Sequence, residues 1–101
     1  MFKAMILLAR REDATHDEFR SWLLDRHAPL AATLPGLRKL TYNVVEGDDT
    51  AYDSIAELWF DSREAFDAAY ATEIGKSVAA DSMANVRSRT RLYVDERSIT
   101  G

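Results

Sequence analysis

Two side chains in this 101-residue sequence combine acid–base chemistry with a position from which to use it, His27 and Glu57. An unperturbed imidazole titrates at about 6.5, so near neutral pH His27 serves as acid, base or hydrogen-bond donor. It stands two residues ahead of Pro29, in the run Asp25-Arg26-His27-Ala28-Pro29. A proline inside a helix donates no N–H and collides with the carbonyl four residues back. A helix through this segment must therefore kink or restart near Arg26 to Ala28, which frees carbonyls and re-aims side chains. The competing reading is a histidine that caps the broken turn and orders the kink. Glu57 lies in Ser54-Ile55-Ala56-Glu57-Leu58-Trp59-Phe60. Alternation puts it on the face opposite Ala56 and Leu58, between Ile55 and Trp59. A carboxylate enclosed there is desolvated and its pKa rises, as a general acid or base requires. Its competing reading is an ion pair with Arg26 or Arg38.

Around these two, Tyr42 offers a phenolic hydroxyl, while Leu40, Ile55, Trp59 and Trp22 offer apolar walls for a ligand; ordinary packing is the rival reading for each. His16, beside Asp17 at the start of a helix, reads as exposed and without a chemical role. No cysteine is present, and neither histidine belongs to an H-x-x-x-H pair, so nothing in the spacing recommends a metal. No phosphate loop or dinucleotide-type glycine pattern occurs. The expectation is chemistry or binding with no metal and no cofactor.

The elements that must position these residues follow from periodicity. Phe2 to Ala9 is apolar on both alternating faces apart from Lys3, which marks a strand covered on both sides. Thr15 and Glu18 form a capping box that opens a helix, with Phe19, Leu23, Leu30 and Leu34 on one stripe, Trp22 beside it and His27 at its edge. Pro35-Gly36 ends it. Leu37 to Glu46 and Tyr52 to Phe60 read as strands about the loop Gly47 to Thr50. Parity places Leu40 and Tyr42 together with Ile55 and Trp59 on the face away from the helices. Asp61 and Glu64 have capping-box spacing and open a second helix, which Gly75 breaks before a further helical stretch through Val78, Ala79, Met83 and Val86. Arg91 to Ile99 reads as the last strand. The order β-α-β-β-α-β predicts an α+β ferredoxin-like fold, with a four-stranded antiparallel sheet and helices on one face.

The whole chain, residues 1–101, reads as one domain. Thirteen Lys and Arg against 17 Asp and Glu give a formal charge of −4, the wrong balance for a protein that lives on phosphate contacts, so nucleic acid is not an expected partner. The short basic runs Arg10-Arg11 and Arg87, Arg89, Arg91 do not reverse it. Solvated surface is the first reading of both, and contact with an anionic ligand the second. No apolar stretch approaches the roughly 18 residues of a membrane-spanning helix, and the N-terminal apolar run lacks a small-x-small cleavage site. The cytoplasm is the expected location. A chain of this size buries roughly 65% of its unfolded surface, with little room for a deep pocket. Because the first strand is apolar on both faces, the uncovered face of the sheet is expected to meet a second copy of the chain.

Taken in order, the apolar first strand, the helix Phe19-Arg20-Ser21-Trp22-Leu23-Leu24-Asp25-Arg26-His27-Ala28-Pro29-Leu30, its ending Leu34-Pro35-Gly36-Leu37 and the strand Ile55 to Phe60 with Asp61-Ser62 resemble the EthD family of the dimeric α/β barrel group. The resemblance runs from about Met1 to Glu96. It implies a ferredoxin-like protomer that dimerises through its sheet and encloses a cleft on the open side of each sheet. Among similar small dimeric barrels are lactone isomerases, polyketide cyclases and cofactor-free monooxygenases. The methylmuconolactone isomerases place a histidine eight residues before Pro-Gly, which maps onto His27. Their tyrosine beyond Pro-Gly falls on Leu40, and their second histidine, before the third strand, has no counterpart between Gly47 and Ser54. These two departures speak against that particular reaction. The resemblance thus implies a homodimer binding a small apolar organic molecule, with cofactor-independent isomerisation or cyclisation by His27 as the leading expectation. The alternative is an auxiliary protein that binds a hydrophobic intermediate unchanged, and the third reading is a cofactor-free monooxygenase.

Overall fold

The computed structural model describes residues 1–101 and consists of two layers, one sheet and one layer of helices. The strands are β1 (Phe2–Arg10), β2 (Lys39–Val44), β3 (Ser54–Phe60) and β4 (Val86–Val94); the helices are α1 (His16–Trp22), α2 (Ala28–Ala31), α3 (Arg63–Ala71) and α4 (Glu73–Asn85). All strand pairs are antiparallel and the order is β2-β3-β1-β4, so the doubly apolar β1 sits inside the sheet. This is the expected α+β ferredoxin-like arrangement. The shortest dimension is only 19 Å, because a single helical layer covers a single face.

Core packing is confined to that covered face. Ala4, Ile6 and Leu8 of β1 and Ala56, Leu58 and Phe60 of β3 point into it, against Phe19 and Leu23 from the first helical segment and Phe66, Ala69 and Val78 from α3 and α4. The opposite face is open. There Met5, Leu7, Ile55 and Trp59 remain half-buried and Leu92 is exposed. No helix is long and apolar enough to cross a membrane.

Four local readings are corrected. The register pairs Leu40 with Leu58 and Tyr42 with Ala56, which places both β2 residues on the helix-covered face, not beside Ile55 and Trp59. Alternation within one strand divides its residues between two faces, but only pairing with a neighbour decides which face is which. The second helix is capped by Ser62, whose Oγ accepts from the Ala65 N–H at 3.1 Å, while Asp61 turns away to a bidentate pair with Arg38. The helical break falls at Thr72, which closes α3 and caps α4 through the Gly75 N–H. Gly75 is helical and serves closeness instead: a Cβ there would overlap the Ala69 carbonyl and the Tyr70 backbone. The last strand is Val86–Val94 and not Arg91–Ile99. Arg87 and Arg91 are tolerated because β4 is an edge strand, from which long side chains reach solvent, whereas Arg89 lies half-buried on the helix side.

Candidate active site

The segment between α1 and α2 is not a simple kink. Leu23–His27 forms one turn of π-helix, in which the Ala28 N–H donates to the Leu23 carbonyl five residues back. Pro29 explains it: a regular turn would drive its ring into the carbonyl of Asp25, and the wider turn keeps the helix continuous without that collision. The extra residue carries His27 from the edge of the stripe into the interior, where 4% of it remains exposed.

Both ring nitrogens meet α4. Nδ1 lies 2.9 Å from Asp81 Oδ2, and Nε2 lies 3.3 Å from the Ser82 hydroxyl oxygen. A carboxylate only accepts, so Nδ1 carries the proton and Nε2 presents its lone pair to Ser82. Asp81 is fixed in turn by the Trp22 indole N–H at 3.4 Å and by the Asn85 amide, which donates to its Oδ1 and its main-chain oxygen. The Trp22 and His27 rings sit 4.8 Å apart. Burial holds the imidazole below its ordinary pKa; Asp81 pulls the other way, and the nearby Arg89 charge adds to the depression. The ring is therefore neutral at pH 7.

Tyr42 meets His27 edge-on at 6.3 Å between ring centres. Burial raises its phenol well above the ordinary range, with the neighbouring Tyr70 and Asp81 adding to the effect. Tyr70 is also raised by burial, against the opposing charge of Arg89. Both phenols stay protonated and able to donate. No group of three or more His, Asp or Glu side chains is placed to hold a metal ion. A surface hollow of about 530 Å³ lies against Trp22 and Asn85, with Asp17, Glu18 and Asp25 on its rim.

The sequence-derived residues thus divide between two sides of the sheet. His27, Trp22, Tyr42 and Leu40 belong to the helix side, and Glu57, Ile55 and Trp59 to the open side. Glu57 does not join His27. Its Oε1 lies 2.7 Å from Lys3 Nζ, and Asn43 donates to its Oε2 at 2.9 Å. The Lys3 hydrogen bond, then that of Asn43, hold its pKa below the ordinary value, the reverse of the expected rise. The ion-pair reading was right in kind, but the partner is Lys3, the one charged residue of β1's apolar run, and not Arg26 or Arg38.

Asp81, Ser82 and Tyr70 were missed as site residues, and Arg89 was read first as solvated surface and second as a contact for an anionic ligand. For the first two a signal existed: Gly75, Val78 and Ser82 form the buried stripe of α4, while Met83 is exposed. The apolar residues Val78, Ala79, Met83 and Val86 marked the helix, of which Val78 and Val86 are buried and Met83 is exposed, and did not single out Ser82.

Residues 11–86 match the EthD domain, three quarters of the chain. The chain belongs to the EthD family. This EthD protein is 29% identical over 87 residues to a 4-carboxymethyl-4-methylbutenolide mutase from Pseudomonas reinekei, covering 76% of this chain and 80% of the mutase. Among solved structures it is similar to an EthD family protein from Bacillus halodurans C-125, with a TM-score of 0.83 at 24% identity, covering 96% of this chain and 100% of the other. A dimeric ferredoxin-like protein of unknown function from Thermobifida fusca gives a TM-score of 0.74 at 16% identity, covering 92% and 88%. At these identities the two structural likenesses concern the fold alone.

Proposed function

We propose that this EthD protein is a cofactor-independent isomerase of small unsaturated organic molecules, lactones being the first class to try, with His27 as the acid–base group. The observation that carries the proposal is the orientation of the imidazole. Asp81 holds the Nδ1 proton, and burial keeps the ring neutral, so the Nε2 lone pair is a base at pH 7. In the reaction Nε2 takes a proton from the carbon next to the lactone carbonyl, with the Ser82 hydroxyl giving way. The electron pair left behind spreads onto the carbonyl oxygen, and the imidazolium returns the proton at a second carbon. No atom is gained or lost, and no oxidant is needed. Tyr42, kept as a phenol by its surroundings, supplies the hydrogen bond to the developing oxyanion. The mutase similar to this chain supports the choice of a butenolide ring.

The open face supports a homodimer. Met5, Leu7, Ile55 and Leu92 leave an apolar surface on a molecule one sheet and one helix layer thick, and a second copy would bring the same apolar residues against it. The dimeric Thermobifida fusca neighbour lends support to that state.

The chemical test is hydrogen exchange. Carboxymethyl butenolides incubated in D2O are expected to gain deuterium next to the lactone carbonyl with the native protein and not with His27→Ala. Binding of the same lactones by both proteins with no exchange by either favours the other reading, an auxiliary protein that holds its ligand unchanged.

A further inference from the structure

Seven of the 13 cations of this acidic protein, Lys3, Arg10, Arg11, Arg38, Arg63, Arg87 and Arg97, lie against a carboxylate. Of the other six, only Arg89 is not exposed. Its register partner is Leu8, which places it on the helix-covered side of β4. No carboxylate comes within 4.0 Å of it. Its Nε is buried with no acceptor in the protein, although an unanswered donor on a charged group is costly. The guanidinium lies 5.9 Å from the centre of the Tyr70 ring, and its charge is felt at both His27 and Tyr70. Two residues along the same face, Arg91 is a second guanidinium with no carboxylate within 4.0 Å, set 5.4 Å over the Tyr93 ring. Both guanidiniums stand on an edge strand of the sheet.

We infer that Arg89 is an anion-binding residue that anchors the carboxylate of an organic acid beside His27. A carboxylate offers the acceptor that the Arg89 Nε lacks, with two oxygens matched to the planar fork, and Tyr70 lies beside the same guanidinium. Arg91 draws the anion to the edge. This rests on the proposed function, since it concerns the ligand of the same site and assigns the carboxylate of that ligand to Arg89.

The test reads equilibrium binding alone, so it stands apart from whether any proton is transferred. Benzoate and benzamide, equal in shape and different in charge, are titrated into the native protein while the Arg89 Nε–Hε resonance is followed by NMR. Benzoate is expected to shift that resonance and saturate, and benzamide to bind much more weakly. Arg89→Leu is expected to weaken benzoate roughly 10- to 100-fold, the loss of a charge-assisted hydrogen bond, and Arg89→Lys, which keeps the charge without the fork, to fall between. Equal affinity for the two probes, no saturable benzoate binding, or undiminished benzoate affinity in a folded Arg89→Leu protein would each overturn the inference. If deuterium exchange fails while benzoate still binds through Arg89, the isomerase reading falls and the anion site stands.

Discussion

His27 is buried neutral, and that choice has a thermodynamic consequence. Its folded pKa lies below the unfolded value, so the unfolded chain binds the proton more readily. Above about pH 6.5 neither state is protonated and the burial costs nothing extra; as pH falls through that value and then through the lower folded pKa, stability is lost. Urea midpoints measured from about pH 7.5 to 5 should therefore decline with acid, and the decline should be shallower in His27→Gln. An unchanged slope would mean that the ring protonates in place without opposition. Asp81 works against the depression, so Asp81→Asn should move the imidazole pKa further down, as read from its ring nitrogen shifts. That variant also separates positioning from packing, because its volume is nearly that of the native side chain.

At the scale of elements, caps and close approaches decide where helices stop. Ser62→Ala should destabilise by about 1 kcal/mol, the usual worth of an N-cap, and Asp61→Ala by clearly less, because Asp61 contributes only an exposed pair with Arg38. Gly75→Ala should cost about 1–3 kcal/mol as overpacking, despite the better helix propensity of alanine, since the new methyl meets backbone and not a yielding side chain. Chemical denaturation of the three variants checks both expectations. The capping box at Thr15 and Glu18 was legible in the sequence because its signal is local: two side chains three residues apart reach each other's backbone N–H. The burial of His27 was not legible. Pro29 announced a disturbance, but whether the helix kinks, restarts or widens by one residue depends on what α4 presents to it.

For the molecule as a whole, element order and the central place of β1 followed from polarity alone, since a strand apolar on both faces has few other positions in a small sheet. The division of the site did not follow. Tyr42 and Glu57 sit in adjacent strands, and only the register Tyr42–Ala56 reveals that they point to opposite sides. The open face sets the expectation for assembly: sedimentation should give a mass near twice the 11.4 kDa chain, and Leu7→Glu, a charge placed among Met5, Ile55 and Leu92, should return it to a single chain. A native mass of one chain would sink the homodimer.

The sheet is also a partition. The Lys3–Glu57 pair lies on one side and the His27–Asp81 pair on the other, with the β-backbone and the side chains of Ala4 and Ala56 between them. Changes on the two sides share no partner, so their effects should combine as independent contributions. A designer thus has two separate dials in one hundred residues. Substitutions on the outward surface are expected to leave the His27–Asp81 pair and the proton it holds unchanged.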